Sequence, residues 1–157
     1  MKIIAVFADV QNIYYTTRQA YGRQFNYRRL WQQISARGCI ELAHAYATER
    51  GDEKQIKFQN VLRHIGFEVK LKPYIQRADG SAKGDWDVGI ALDIVDAAAT
   101  VDTIVLLSGD GDFDLVMDRV RIKHALNAEV YGVAQLTAKS LIDAATTFYP
   151  IEADLLL

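Results

Sequence analysis

The sequence predicts an α/β protein with a three-layer α/β/α architecture and a mostly parallel central sheet. Apolar runs of strand length alternate along the chain with longer segments of helical period. That alternation is typical of βαβ units with right-handed crossovers. In addition, Ile3–Ala8 and Thr103–Leu107 are apolar without interruption, as expected of strands that are covered on both faces.

The first half of the chain supplies three strands and two helices in this prediction. Besides Ile3–Ala8, the strands are Ile40–Thr48 and Phe67–Tyr74. The helices are Tyr27–Ala36, whose apolar residues recur at helical spacing, and Glu53–Ile65, which is followed by a glycine suited to a helix C-terminus.

The second half begins with a polar, glycine-containing segment, Ile75–Gly84, which predicts a flexible loop. Helices and strands then alternate to the end of the chain. The predicted helices are Trp86–Ala99, Phe113–Leu126 and Ala138–Ala145, and the predicted strands are Thr103–Leu107, Glu129–Val133 and Phe148–Ile151.

The composition is that of an ordinary soluble globular protein, and 157 residues suit a single domain over 1–157. A net charge of −2 excludes nucleic-acid binding through bulk charge, so any such site would be a local patch. Cys39 is the only cysteine, which excludes an internal disulfide and a Cys-rich zinc site. The N-terminal apolar run is too short for a signal-peptide core or a membrane span, so we expect a cytoplasmic location.

Aspartates follow two of the three most apolar strands of the predicted sheet. Ile3–Ala8 runs into Asp9, and Thr103–Leu107 is followed by Asp110 and Asp112. In an open parallel sheet, ligands bind outside the carboxyl ends of the strands, at a topological switch point. If the two strands are neighbours, Asp9 and Asp110 emerge side by side, and the glycines of the Ser108–Asp112 turn allow Asp112 to fold back towards them.

Asp87 adds a further acid at the first turn of the helix predicted from Trp86. Asp93 lies six residues further on, which is about 600° of rotation, so the two carboxylates do not share a helix face. The sequence therefore favours Asp87 as a partner of Asp9 and Asp110, and it leaves the role of Asp93 open.

Each of these aspartates has an alternative role as a helix cap or turn former, and Asp112, just before an apolar helix, suits that role well. A cluster of carboxylates, however, repels itself unless a cation is present. Oxygen ligands without cysteine or histidine select a hard ion, so Mg²⁺ or Mn²⁺ is expected rather than Zn²⁺. Such an ion suits hydrolysis of a phosphodiester.

Three polar residues beside the acids are candidates for contact with substrate. Asn12 could bind through a water or orient a phosphate, or it could cap a turn. Lys83 could neutralise a phosphate, although a loop lysine is usually only solvated. Ser108 could hydrogen-bond a carboxylate or hold the turn in which it lies.

Three ordered motifs carry a resemblance to a known family. Phe7–Asn12, Lys83–Val88 together with Asp93, and Ser108–Phe113 resemble the NYN domain family, and within it the LabA-like (DUF88) branch of the PIN-like nuclease superfamily. The resemblance implies a PIN-like (Rossmannoid) fold and Mg²⁺- or Mn²⁺-dependent ribonuclease chemistry. The residues that it places in the catalytic metal site are Asp9, Asp87, Asp110 and Asp112, with Asn12 and Ser108 as flanking positions.

The expected function is therefore hydrolysis of RNA by an aspartate-held metal, with single-stranded RNA as the expected partner. The alternative is a non-catalytic module of the same fold that binds RNA or a protein. The candidate cations for holding the nucleic acid are Arg18, Arg23, Lys83 and Arg119, and the candidate aromatics for stacking an unpaired base are Tyr14, Tyr15 and Trp86. The apolar tail, residues 155–157, indicates contact with its own sheet or with another chain, so a homo-oligomer is considered.

Overall fold

A computed structural model describes residues 1–49, 51–73, 75–76, 82–83 and 86–157, without the side chains of residues 73, 75, 76, 82 and 83. The chain forms eight strands and six α-helices within these ranges. The strands are β1 Ile3–Asp9, β2 Cys39–Glu49, β3 Glu68–Pro73, β4 Ile75–Gln76, β5 Ala82–Lys83, β6 Thr103–Leu107, β7 Asn127–Gly132 and β8 Thr147–Pro150. The helices are α1 Val10–Tyr21, α2 Tyr27–Ser35, α3 Glu53–Ile65, α4 Asp87–Ala97, α5 Asp114–Ile122 and α6 Lys139–Ala144.

Six of the strands form one sheet in the order β3-β2-β1-β6-β7-β8, and every neighbouring pair is parallel. The predicted α/β class with a parallel sheet is thus confirmed. The strand order changes direction between β1 and β6, because β2 and β3 extend the sheet on one side and β6 to β8 on the other. This is the topological switch point at which such sheets bind ligands.

Both faces of the sheet are covered, which explains why residues 3–8 of β1 are all apolar. Ile4 and Val6 belong to one core cluster, which they share with Leu30 of α2. Ala5 and Phe7 belong to the cluster on the other face, where α4, α5 and α6 pack. Successive residues of a strand point to opposite faces, so a strand buried on both sides needs an apolar residue at every position.

Three local features differ from the sequence prediction. Helix α1 was not predicted, although it follows β1 without a gap. The segment predicted as a loop contains the short antiparallel pair β4–β5, in which Ile75 is opposite Lys83; its residues 77–81 and 84 lie outside the described ranges. The helix predicted from Phe113 begins as a single 3₁₀ turn, Gly111–Phe113, before α5.

The C-terminal residues pack against their own chain. Leu155 and Leu156 are buried, and Leu156 forms a bridge with Phe25. The backbone N–H of Leu157 donates to the carbonyl of Gln24 at 2.8 Å. Of the two contacts considered for this tail, the structure shows the one with the rest of the same chain. Among the described residues, no helix is both long and apolar enough to cross a membrane.

Candidate metal centre

Three aspartates meet at the carboxyl edge of the sheet, at its switch point. Asp9 is the last residue of β1, Asp110 follows β6, and Asp87 is the first residue of α4. One carboxylate oxygen from each lies within 4.8 Å of the others. Asp9 is only 9% exposed, whereas the other two are half-buried. We refer to these three residues as the aspartate cluster.

A hydrogen-bonded turn fixes Asp9 and Asp110 relative to each other. The buried hydroxyl of Ser108 donates to Asp9 Oδ2 at 3.0 Å and accepts from the backbone N–H of Asp110 at 3.2 Å. The N–H of Gly109 donates to Asn12 Oδ1 at 2.9 Å, which ties the turn to the first part of α1. Ser108 and Asn12 therefore hold the turn, and their contact with RNA stays a prediction.

The glycines of this turn are required because a side chain would not fit, and not because the backbone has an unusual conformation. A Cβ on Gly109 would lie 2.8 Å from the carbonyl oxygen of Leu136, and one on Gly111 would lie 2.9 Å from Cβ of Ala138. Neither glycine has a positive φ. The turn after β6 is thus pressed against the segment that precedes α6, and this contact limits its movement.

Asp112 lies beside the cluster without belonging to it. Its backbone N–H donates to Asp110 Oδ1 at 2.9 Å, so the carboxylate of Asp110 caps the 3₁₀ turn. The side chain of Asp112 is exposed, and it lines a surface groove together with Asp87. Among the described residues, the group that could share one ion consists of Asp9, Asp87 and Asp110.

Asp93 is used elsewhere, in a network between α4 and the adjoining strands. Its Oδ2 accepts from the hydroxyl of Tyr46 at 2.7 Å and from Lys70 Nζ at 2.8 Å, and it lies 3.5 Å from Nδ1 of His44. Burial alone would raise the pKa of Asp93, but the hydrogen bonds from Lys70 and Tyr46 hold it below the ordinary value. Asp93 therefore anchors α4 to the sheet, about 1.7 helical turns after Asp87 and on a different face of the helix. The sequence pattern gave no sign of this network.

The start of α4 is anchored by Trp86. Its Nε1 donates to the carbonyl of Ala47 at 2.9 Å, its ring packs against Tyr46 at 5.3 Å, and Lys72 Nζ lies 4.6 Å from the ring centroid. A Cβ on Gly89 would lie 2.7 Å from the same ring. These contacts give Trp86 a structural role that places Asp87, the next residue.

The cationic and aromatic candidates are dispersed over the surface. Arg18 Nη1 donates to the hydroxyl of Tyr14 at 2.6 Å on α1, and Tyr14 is 47% exposed. Arg23 Nε donates to the carbonyl of Leu157 at 2.8 Å and so binds the C-terminal tail. Arg119 is exposed on α5. The side chain of Lys83 lies outside the described residues.

Two helix N-termini stabilise the charge of the cluster. Asp9 precedes α1 and Asp87 begins α4, so both lie at helix N-termini, which stabilise an anion by about 0.3–1 kcal/mol each. Two carboxylates at the 4.8 Å limit of this cluster repel by about 3.5 kcal/mol at an effective dielectric constant of about 20. The Asp9 carboxylate also affects Tyr27, whose pKa is raised mainly by burial and to a smaller extent by the negative charge of Asp9. A divalent cation between the three carboxylates would reduce their mutual repulsion further.

The geometry and chemistry of the cluster suit a hard divalent ion. Oxygens that share a Mg²⁺ at about 2.1 Å are separated by roughly 3 to 4 Å, a span that small side-chain rotations reach from this arrangement. The donors are all carboxylate oxygens, which favour Mg²⁺ or Mn²⁺ over softer metals. The residues present therefore fit the metal that the sequence predicts.

The chain matches a family model and a described relative. The model of the NYN domain covers residues 3–152. The protein named "Low amplitude and bright protein LabA", from Synechococcus elongatus, is 30% identical over 128 residues, which cover 76% of this chain and 68% of LabA. These matches confirm the family resemblance of the three motifs.

Solved structures show the same fold. A crystal structure of a protein of unknown function from Vibrio parahaemolyticus superposes with a TM-score of 0.94 at 49% identity, covering 99% of this chain and 96% of that one. Ribokinase from Giardia lamblia superposes with a TM-score of 0.51 at 12% identity, covering 98% of this chain and 58% of the kinase. At that identity, the second likeness concerns the fold alone.

Proposed function

This chain belongs to the NYN domain family, and on that basis we propose that it hydrolyses RNA phosphodiester bonds with Mg²⁺ or Mn²⁺ held by the aspartate cluster. The observation that carries the proposal is the meeting of Asp9, Asp87 and Asp110 within 4.8 Å at the switch point of the sheet. The family lies within a nuclease superfamily, so a hydrolase is the expected class.

Each residue of the site has a separate task in this proposal. A divalent ion would supply Lewis-acid stabilisation of the scissile phosphate and a more acidic water at neutral pH. Asp9, Asp87 and Asp110 hold it, while Ser108 orients the carboxylate of Asp9 through its hydrogen bond. Asp112, exposed at the rim, is assigned to orient the attacking water and accept its proton.

The substrate is proposed to be single-stranded RNA in the cytoplasm. The sheet edge is open to solvent at Asp87, Asp110 and Asp112, which suits a flexible strand whose bases can be splayed apart. Tyr14 and Tyr15, both about half exposed on α1, which directly follows Asp9, are assigned to stack unpaired bases. Lys83 is assigned to neutralise a phosphate.

The experiment measures cleavage of single-stranded RNA by purified protein with Mn²⁺ or with EDTA. Asp110→Asn should abolish the Mn²⁺-dependent cleavage and leave the fold intact, whereas Asp114→Asn, which changes a nearby aspartate outside the cluster, should cleave like wild type. Equal cleavage by wild type and Asp110→Asn would indicate a contaminating nuclease and would refute the proposed nuclease function. RNA binding without turnover in the wild type would instead identify the alternative, a non-catalytic module.

A second comparison separates Asp112 from the cluster. Asp112→Asn should lower kcat while leaving the affinity for Mn²⁺ unchanged, because its carboxylate lies outside the group that shares the ion. Asp9→Asn should lower both. Loss of Mn²⁺ affinity in Asp112→Asn would make Asp112 a ligand rather than a proton acceptor.

A further inference from the structure

An open apolar groove lies between α4 and α5, next to the aspartate cluster. Its volume is about 760 Å³. Leu92 on α4 and Leu115 and Ile122 on α5 line it, and these side chains are 61%, 79% and 68% exposed. Val88, four residues before Leu92, is 72% exposed. Soluble monomers rarely expose a continuous apolar strip of this kind, and such strips mark interaction sites.

The lining of this groove, which we call the α4–α5 groove, suits protein rather than RNA. Among the described residues, those that line it include aliphatic side chains but no aromatic ring. Unpaired bases are bound chiefly by stacking on aromatic rings or on arginine; Arg119 lies towards one end of the groove, and the aliphatic side chains along its middle offer no such platform. Residues four apart on α4 and seven apart on α5 face the same way, which is the pattern by which helices pack together.

The charges at the two ends of the α4–α5 groove are opposite. Asp87 and Asp112 lie at the end formed by the starts of both helices, and Arg119 and Lys123 lie towards the end of α5. From Asp112 to Lys123 is roughly 16 Å at about 1.5 Å per residue. The remaining acid, Asp118, is paired with Arg121 at 2.8 Å.

We propose that the α4–α5 groove binds a second copy of this chain, with the two copies related by a two-fold axis. A groove that is acidic at one end, apolar in the middle and basic at the other is complementary to itself when turned by 180°. Leu115 and Ile122 of each copy then contact the apolar middle of the other. A two-fold contact of this kind closes as a dimer, whereas a head-to-tail contact would continue into a ring or a filament.

This arrangement adds cations to the site of the opposite copy. Arg119 and Lys123 of one copy lie beside Asp87 and Asp112 of the other, where the described part of the same chain places acids. Arginine and lysine are the usual partners of phosphate. The dimer itself is independent of RNA cleavage, but the use of these cations for an RNA phosphate rests on the function proposed above.

Sedimentation equilibrium over a range of protein concentrations tests the dimer. We expect a monomer–dimer equilibrium in wild type, and a dissociation constant raised about tenfold or more in Leu115→Glu. Val61→Glu, at a residue of α3 that is 47% exposed, is the matched control and should associate like wild type. A chain that stays monomeric, or a dimer unaffected by Leu115→Glu, would overturn the proposal, even if the groove bound an unrelated amphipathic helix.

Charge reversal tests the two-fold orientation. Arg119→Asp and Asp112→Arg should each weaken association, and the double variant should restore it because the opposite ends would again attract. Failure of the double variant to recover, with its fold intact by circular dichroism, would contradict the antiparallel arrangement.

Mixing two variants tests the shared site. Asp110→Asn subunits lack a complete cluster but keep Arg119, whereas Arg119→Ala subunits keep the cluster but lack Arg119. In a mixed dimer, the intact cluster of one subunit lies beside the Arg119 of the other. The mixed dimer should therefore regain part of the wild-type cleavage that neither variant has alone. Mixed dimers that form without regaining cleavage would overturn the shared site. No cleavage by wild type would overturn the proposed function, while sedimentation would still decide the dimer.

Discussion

Asp110→Asn should make the metal-free protein more stable, because it removes one of three mutually repelling charges. The asparagine keeps an oxygen that can accept from the N–H of Asp112, so the 3₁₀ turn retains its cap. The nearest oxygens of the three carboxylates lie within 4.8 Å of one another, and at that upper limit a carboxylate pair repels by about 0.9 kcal/mol in water and about 3.5 kcal/mol at an effective dielectric constant of about 20. Asp110 takes part in two such pairs.

The net gain is smaller than this repulsion. Asp110 is half-buried, so solvent and salt screen part of the interaction. The variant also loses a favourable charge at a helix start, which is worth about 0.3–1 kcal/mol. We therefore expect the free energy of unfolding to rise by about 1–2 kcal/mol in EDTA.

Mn²⁺ should reverse the order of stability. A ligand at a hundred times its dissociation constant stabilises the folded state by about 2.7 kcal/mol, and the variant, with one ligand fewer, should gain much less. Urea unfolding in EDTA and in Mn²⁺ measures both effects. Asp114→Asn controls for the loss of a charge at a helix start and should respond to Mn²⁺ like wild type. A variant no more stable than wild type in EDTA, with an equal response to Mn²⁺, would refute the reasoning.

Three further substitutions test the surroundings of the cluster. Ser108→Ala should lower the free energy of unfolding by about 1.5–3 kcal/mol, since Asp9 loses a charge-assisted hydrogen bond. A loss below about 0.5 kcal/mol in urea unfolding would contradict the role of Ser108 in holding Asp9. Gly109→Ala should cost about 1–3 kcal/mol by the same measurement, because its Cβ would meet the Leu136 carbonyl at 2.8 Å, and an unchanged urea midpoint would show that the turn can shift. The pKa of Tyr27 is raised in the folded protein, so its contribution to stability is complete below about pH 10 and is lost as the pH rises further. The urea midpoint should therefore fall less steeply above pH 10 in Tyr27→Phe than in wild type. Equal slopes of midpoint against pH in the two proteins would exclude Tyr27 as a cause.

The sequence could predict the sheet and two members of the cluster because both depend on local signals. An apolar run such as Ile3–Ala8 is required wherever a strand is covered on both faces, and the residue after it then lies at the sheet edge. Asp9 and Asp110 follow from that rule once β1 and β6 are neighbours. Helical rotation likewise separated Asp93 from Asp87, as the structure has it.

What the sequence could not predict depends on contacts between distant segments. Helix α1 has no acid in its first turn and no side-chain cap, and Tyr14 and Tyr15 are exposed, so its start carries few of the usual signals. The position of Asp112 outside the cluster depends on a single 3₁₀ turn capped by Asp110. The reason for Gly109 lies in Leu136, which a reading of the turn alone does not reveal.

The strand order also determines when the aspartate cluster can exist during synthesis. Asp9 leaves the ribosome first, but β6 takes its place beside β1 only after β2 and β3 have been made. Until residue 110 has emerged, the growing chain has an incomplete set of acids and no neighbouring strand to present the last one. A nascent or truncated chain that stops before residue 110 therefore carries an incomplete aspartate cluster, and an ion held by all three aspartates can bind only after β6 and its following turn have been made.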